Sequence, residues 1–387
     1  MDFELTAVQR EIKQRARQFA RDEVEPLARQ ADESGVFPLH LVARMGELGF
    51  LAGTLDTRYG GENMDYLSYT LISEELGRVD ASVRGFLAVH GSLVTLCLND
   101  WGTEEQKQRY LPYLASGQAI GCYCLTEPNA GSDAASMETT ARKDGDDYIL
   151  NGEKIWITNG GIASLALVFA TVDRGLRHKG ITAFIVETDS PGFDHRPMPG
   201  QELGHRSSDH AHITLTDVRV PRKNILAEVG EGFKVAMTAL DHGRLGVAAG
   251  AVGMAQACLD ETLDFVRQRR QFGQRIGDFQ MIQATIAEAV VDIEAARLLV
   301  YKAAWMKENG LATTRQTSIA KLFATEIAAR IAGDAVLIHG GRGYSNEHPV
   351  ERFYRDVKGL QIYEGSSHIQ RIVIARDLIG KDEVPAT

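Results

Sequence analysis

The stretch Tyr148-Ile149-Leu150-Asn151-Gly152-Glu153-Lys154-Ile155-Trp156-Ile157 decides the fold class. Two short apolar runs flank an Asn-Gly pair, the dipeptide best suited to a two-residue turn, so the stretch reads as a β-hairpin turning at Asn151-Gly152. Further strand-like runs follow at 165–172, 181–186 and 212–220, the last alternating and closed by Pro221. Outward on both sides the period changes to that of helices. Val8, Ile12 and Phe19 make one stripe, and Leu67, Thr70, Leu71 and Leu76 another, with Pro26, Pro38 and Gly60-Gly61 as punctuation. Beyond Gly232 long helical patterns return, separated by Gly273, Gly310 and the Gly340-Gly341-Arg342-Gly343 loop. The predicted architecture is mainly α with a central β domain: a helical region over 1–119, a β region over 120–231 and a helical bundle over 232–387. Helix and strand do not alternate, which disfavours a doubly wound sheet. Gly230-Glu231-Gly232 lacks the third glycine of a dinucleotide fingerprint and reads as a turn that opens a helix.

Bulk properties narrow the function. A chain of 387 residues, 44% hydrophobic, buries a large core in more than one layered unit. A formal charge of −10 opposes a nucleic-acid partner, which needs a basic footprint. Of the cysteines at 97, 122, 124 and 258, only Cys122 and Cys124 are close, and no second pair completes a zinc site, so four buried thiols are expected. The eleven histidines, His339, His348 and His368 among them, show no metal-ligand spacing, so no metal is expected. The N-terminus lacks an apolar signal-peptide core, and the weakly polar run 245–259 is too short to span a bilayer. A soluble intracellular protein with no membrane association is expected.

Four segments carry chemistry. Tyr123-Cys-Leu-Thr-Glu-Pro-Asn-Ala-Gly-Ser-Asp133 turns at Pro128 and presents Thr126, Ser132 and backbone amides, either as a cradle for a heteroaromatic edge or diphosphate or as a plain polar loop. In Trp156-Ile157-Thr158 a tryptophan beside a hydroxyl suits the face and edge of a flat cofactor, and equally a core position. Arg269-Arg270-Gln271-Phe272-Gly273, with Gln280 beyond, offers guanidinium forks for phosphate; it also reads as a helix C-terminus stopped by Gly273. In Tyr363-Glu364-Gly365-Ser366-Ser367-His368, Ser366 is an N-cap candidate and Glu364 a carboxylate just ahead of a helix, ordinarily a dipole-pairing group.

Together LTEPNAGSD, NGEKIWITNG, RRQFG, IHGGRGY and IYEGSSHIQR, in this order, resemble the acyl-CoA dehydrogenase family over essentially the whole chain, most closely the short-chain (butyryl-CoA) type. The resemblance implies a helical domain, a β-barrel or sheet domain and a C-terminal four-helix bundle. It implies FAD as cofactor, a homotetramer, electron-transfer flavoprotein as electron acceptor, and a cytoplasmic or mitochondrial-matrix setting in fatty acid β-oxidation. It places Tyr123, Leu125, Thr126, Gly131, Ser132, Trp156, Ile157 and Thr158 on the flavin ring. Arg269, Phe272 and Gln280, with Leu337, Gly340 and Gly341 of another subunit, fall to the ADP part, and Ser366 and His368 also approach FAD. Ser132, Asp241, Arg244, Tyr363 and Gly365 face the acyl-CoA. Glu364 is the implied base that takes the α proton of the thioester, while the flavin N5 takes the β hydride. Some relatives carry their base on a long helix just before an arginine; here that position is Gly243, which leaves Glu364.

Departures from the pattern are Leu337 for a frequent glutamine, His210 for a threonine and Glu202 for a lysine. Arg84, within ELGRVDASVRGFLAVHGSL, resembles the arginine with which glutaryl-CoA dehydrogenase pairs its substrate's distal carboxylate, although Gly77 and Ala88 stand where that enzyme carries polar partners. A dehydrogenase of a carboxylated or carrier-protein-bound acyl group is therefore a second reading. A flavin-bearing binding or protective protein is a third, in which no acyl-CoA would bleach the flavin.

Overall fold

The computed structural model describes residues 4–380; residues 1–3 and 381–387, at the outer ends of the first and third regions, lie outside the described residues. The first region is helical: α1 (Ala7–Phe19), α2 (Glu25–Ser34), α3 (His40–Glu47), α4 (Tyr66–Gly77), α5 (Ala81–Leu87), α6 (Leu96–Trp101) and α7 (Glu104–Ser116). A capping box starts α1, the Thr6 hydroxyl accepting from Gln9 N while the Gln9 side chain accepts from Thr6 N. Pro26 does not break the chain of helices. It sits in the first turn of α2, where its missing N–H costs nothing, and a π-helical turn over Ala20–Val24 joins α1 to α2. The covered face of α1 begins at Ile12; Val8 is 61% exposed and does not join the stripe expected of it.

The stripe at Leu67, Thr70, Leu71 and Leu76 belongs to a helix covered on every side, since α4 is buried without a break from Ser68 to Gly77. Its two inner carboxylates are paired, Glu75 with Arg17 at 2.9 Å and Glu74 with Arg297 at 3.2 Å. Ala81–Trp101, through α5, a π segment (Ala88–Thr95) and α6, is apolar over 21 residues, a longer run than 245–259. Its length and composition suit a membrane span, but 94% of its apolar window is buried inside the protein, as in a core helix.

The middle region is a sheet of β1 (Gly121–Cys124), β2 (Thr140–Asp144), β3 (Asp147–Thr158), β4 (Leu165–Thr171), β5 (Ile181–Glu187), β6 (Phe193–Pro197), β7 (His210–Pro221) and β8 (Ile225–Leu226). The strand order is β6-β7-β3-β2-β4-β5-β8, with β1 parallel to β4. Here the expected hairpin is corrected. β3 runs unbroken through Asn151-Gly152, and the turn lies earlier, at Gly145-Asp146 between the paired Asp144 and Asp147. Gly145 takes the positive φ of that turn, +65°. Asn151 is instead engaged at a bulge, where its side chain bonds Asp217 twice, donating at 3.0 Å and accepting from Asp217 N at 2.9 Å. Gly152 is required by packing, because a Cβ there would stand 2.5 Å from the Thr139 hydroxyl.

The third region comprises α8 (Gly232–Gln268), a two-stranded ribbon of β9 (Arg270–Gln271) and β10 (Gln274–Arg275), then α9 (Gln280–Glu308), α10 (Thr314–His339), α11 (Val350–Ile362) and α12 (Ser367–Ile379). Arg269 to Gly273 is therefore not a helix stopped by Gly273. The helix ends at Gln268, and Phe272 and Gly273, at φ +51° and +80°, turn the ribbon. Alanines line the core between α8, α9 and α10, and glycines let α8 meet α4. A Cβ on Gly77 of α4 would come within 2.5 Å of Gly250 O on α8. Among the described residues the four cysteines are free and buried, and no cluster suited to a metal occurs.

Candidate active site

Glu364 sits between two helices, one residue past the C-cap of α11 and two before Ser366, whose hydroxyl accepts from Ile369 N and caps α12. Glu364 and Gly365 both take left-handed backbone, φ +54° and +91°. For glutamate this is strained, of order 1–3 kcal/mol, and it persists only where the surroundings fix it. Two buried side chains do so. Lys321 Nζ donates to Tyr363 O at 2.8 Å and Gly365 O at 2.6 Å. Gln370 Nε2 donates to Gly365 O at 2.8 Å and Glu364 O at 3.3 Å.

From this corner the carboxylate reaches α8. A Cβ on Gly243 would stand 2.0 Å from Glu364 Oε2 and 2.9 Å from Leu93 Cδ2. Oε2 is buried and has no hydrogen-bond partner among the described residues. Burial raises the Glu364 pKa above the ordinary carboxylate value, against the opposing pull of Arg84, Lys321 and Arg244. The Glu364 backbone N–H also makes no hydrogen bond among the described residues. The carboxylate thus has a buried, unpartnered oxygen and does not act as the helix-pairing group its place in the sequence ordinarily signifies.

Cations surround the carboxylate. Arg84 is 1% exposed; it bonds the Tyr363 hydroxyl and lies over that ring at 5.6 Å, while its Nη1 is buried without a partner among the described residues. Arg244 is buried with Asp241, Nη1 to Oδ1 at 2.5 Å, and Asp241 in turn accepts from the Thr314 hydroxyl. The electrostatic pull of Glu364 is also felt at Tyr123, whose hydroxyl donates to Ala236 O at 3.2 Å.

The loop after β1 meets the bulge of β3. Ile155 N donates to Thr126 O at 2.9 Å, and buried Lys154 donates to Leu125 O at 3.2 Å and Glu127 Oε1 at 2.7 Å. At the bulge Trp156 adopts φ +57°, which turns its ring outward, 51% exposed. The Thr126 and Thr158 hydroxyls are half-buried and bond nothing among the described residues, Ile157 is buried, and Gly131 and Ser132 are exposed. Here the structure brings together what the sequence kept apart, Tyr123 to Ser132 with Trp156 to Thr158. His210 and Glu202, two departures from the family pattern, compensate each other: His210 Nδ1 lies 2.7 Å from Glu202 Oε2, with its ring 6.4 Å from Trp156.

Of the other expected cofactor residues, Ser366 and His368 stand at the start of α12, two and four positions after Glu364, and the rest lie elsewhere. Phe272 is 93% exposed at the ribbon tip, and Arg269, Gln280, Leu337, Gly340, Gly341 and His368 are exposed as well. Arg269 follows Gly243 by 26 positions along one continuous helix, a rise of roughly 39 Å at 1.5 Å per residue. No hydrogen bond, ion pair or ring contact joins this group to Trp156 or Glu364. Sequence reasoning missed Lys321, Gln370 and Leu93. A signal existed for the first: Thr317, Lys321, Ala324 and Ala328 are spaced as the buried stripe of a helix.

Comparison with known proteins accounts for this constellation. The family models described as acyl-CoA dehydrogenase N-terminal, middle and C-terminal domains match residues 6–118, 122–218 and 230–379. The chain belongs to the acyl-CoA dehydrogenase family. A short-chain-specific acyl-CoA dehydrogenase of Clostridium acetobutylicum is 43% identical over 375 residues, covering 97% of this chain and 99% of the relative. The structure of butyryl-CoA dehydrogenase from Megasphaera elsdenii superposes with a TM-score of 0.96 at 41% identity, covering 98% of this chain and 100% of that one. That of glutaryl-coenzyme A dehydrogenase with glutaryl-CoA does so at 0.95 and 38%, covering 98% and 97%. This acyl-CoA dehydrogenase is a three-domain flavoprotein oxidoreductase dependent on FAD. Its own residues fit that cofactor: an outward tryptophan, two unengaged hydroxyls and an open Gly131 stand together where the loop after β1 meets β3.

Proposed function

We propose that this acyl-CoA dehydrogenase oxidises a short-chain acyl-CoA to the trans-2-enoyl-CoA, with Glu364 removing the α proton. The observation that carries the reading is the buried, unpartnered Oε2 of Glu364 held against a glycine. An α C–H beside a thioester is a weak acid, so it needs a desolvated carboxylate and donors aimed at the carbonyl oxygen. The free N–H of Glu364 supplies one such donor from the same residue. FAD, when bound against Trp156, Thr126 and Thr158, supplies the acceptor for the β hydride. Asp241, Arg244, Tyr363, Gly365 and Ser132 line the acyl-CoA side in this reading. Anaerobic titration with butyryl-CoA is expected to bleach the flavin; a flavin left oxidised by every acyl-CoA in a chain-length panel refutes the proposal.

Gly243 gives a second test. Gly243→Ala is expected to slow flavin reduction by about 100-fold, because its Cβ displaces the carboxylate, with acyl-CoA affinity changed far less. Stopped-flow reduction at saturating substrate reads both.

A second substrate reading rests on Arg84. A guanidinium that is buried and lacks an acidic partner is costly, and a carboxylate at the distal end of the acyl group would satisfy its Nη1. Glutaryl-CoA would then reduce the flavin faster than butyryl-CoA, and Arg84→Gln would abolish that preference while sparing butyryl-CoA. Equal rates with both substrates in the parent protein eliminate the diacid reading.

The quaternary part of the proposal is a homotetramer with FAD shared between subunits. The supports are the ~39 Å along α8 between Gly243, against which Glu364 packs, and Arg269 and the exposed apolar row Val291, Leu298, Trp305 on α9. Analytical ultracentrifugation of the yellow protein checks it. Electron-transfer flavoprotein as acceptor and a reducing compartment, bacterial cytoplasm or mitochondrial matrix, complete the proposal.

A further inference from the structure

Lys321 is a lysine no part of the proposed reaction uses, yet it is fully buried in the middle of α10. Burying an ammonium is expensive unless it is hydrogen-bonded. Its bonds go to the two carbonyls that bracket Glu364, 2.8 Å to Tyr363 O and 2.6 Å to Gly365 O. Gln370, also fully buried, holds Gly365 O and the carbonyl of Glu364 itself from the first turn of α12. Three successive carbonyls are thus pinned by two side chains on two different helices. Between them stands the one left-handed non-glycine residue of this connection. Gly365 completes the arrangement, since a Cβ there would meet Gln370 Nε2 at 2.6 Å.

We propose that Lys321 is a positioning residue for Glu364: its ammonium clamps the backbone on both sides of the carboxylate, fixing the corner from which it reaches the substrate gap, and its charge favours the ionised carboxylate. The proposal rests on the assignment of Glu364 as base. The groups facing Lys321 are Glu364 on the connection, Arg244 on α8, Arg84 on α5 and Glu326 on α10 itself. Burial pushes the ammonium down, to about 8, with Arg244 and Arg84 adding to the fall and Glu364 and Glu326 opposing it. The clamp therefore carries its charge well below pH 8 and loses it as pH rises through that value, so flavin reduction gains a basic limb there.

The test uses the flavin-loaded protein and the variants Lys321→Met, Lys321→Arg and Gln370→Leu. Lys321→Met is expected to retain flavin and acyl-CoA affinity within about threefold, to reduce flavin about 100-fold more slowly, and to move the acidic limb of the rate profile up by about one pH unit. Lys321→Arg returns that limb while restoring only part of the rate. Gln370→Leu slows reduction with the limb in place. A readout independent of turnover is the Glu364 carboxyl band in infrared difference spectra against pH, assigned with Glu364→Gln. It titrates at higher pH in Lys321→Met whether or not any acyl-CoA bleaches the flavin. A Lys321→Met protein with parental rate and unmoved carboxyl titration overturns the proposal. If that variant does not fold, parental behaviour of Gln370→Leu in rate, together with a carboxyl titration in Lys321→Arg displaced as far as a lost charge predicts, overturns it equally.

Discussion

Glu364→Gln is expected to yield a folded yellow protein that binds acyl-CoA and reduces its flavin roughly 10⁴-fold more slowly than the parent. Glutamine keeps the shape of the side chain beside Gly243 and the clamp on its backbone, so what is lost is the carboxylate charge and basicity needed to accept the proton. No other carboxylate stands ready: Asp241 is committed to Arg244 and Thr314, and the helix position facing the gap is a glycine. Stopped-flow reduction by butyryl-CoA measures the effect, and a loss under tenfold means that another group takes the proton. The same variant carries a stability signature. Glu364 has a raised folded-state pKa, chiefly from burial, so its ionisation opposes folding. The site is neutral and harmless at low pH, and stability is lost as pH rises through the folded pKa. Glu364→Gln removes that loss. Its melting temperature should exceed the parent's at pH 8 and converge with it at pH 4.5; a gap that widens on acidification contradicts the assignment.

Much of the frame was legible because the deciding residues act locally. Ser366 caps α12, Gly232 opens α8, and the runs behind β4, β5 and β7 are strands in the places their periodicity indicated. What misled was local chemistry put to a tertiary use. Asn151-Gly152 has the composition of a turn, but Asn151 bridges to Asp217, 66 positions away, and Gly152 yields space to Thr139. Phe272-Gly273 is a true positive-φ turn that periodicity hid behind the end of a helix. In the candidate site, Glu364 and Trp156 were visible as types in motifs. Their surroundings were not: the pairing of Glu202 with His210, the unpartnered Nη1 of Arg84 and the reach of Lys321 to the Glu364 connection each depend on side chains meeting across separate elements. A lysine inside an alanine-rich helix reads as a solvent-facing residue until the helix phase is followed.

The largest stability effect is expected at Lys154, which anchors the loop after β1. Its ammonium and the Glu127 carboxylate are both buried, 2.7 Å apart. Glu127 also accepts from Thr139 N at 3.0 Å and from Glu138 N. Desolvation works against both charges and holds Lys154 below the ordinary lysine value. On Glu127 the same desolvation is outweighed by Lys154 and the amide donors, so its carboxyl lies below the ordinary value. Lys154→Met leaves Glu127 buried without its counter-ion, a loss of about 3–5 kcal/mol, and frees Leu125 O, so the 125–133 loop should loosen and flavin retention should fall with stability. The pair in isolation is a different quantity. Lys154→Met combined with Glu127→Gln removes the stranded charge, and its cost should be well below that of Lys154→Met alone. Urea unfolding of the parent, both single variants and the double variant, with flavin occupancy read from the visible spectrum, separates the two effects. A Lys154→Met variant within 1 kcal/mol of the parent would mean that water reaches Glu127, and with it that the loop beside Trp156 is far less rigid than a cofactor-bearing loop requires.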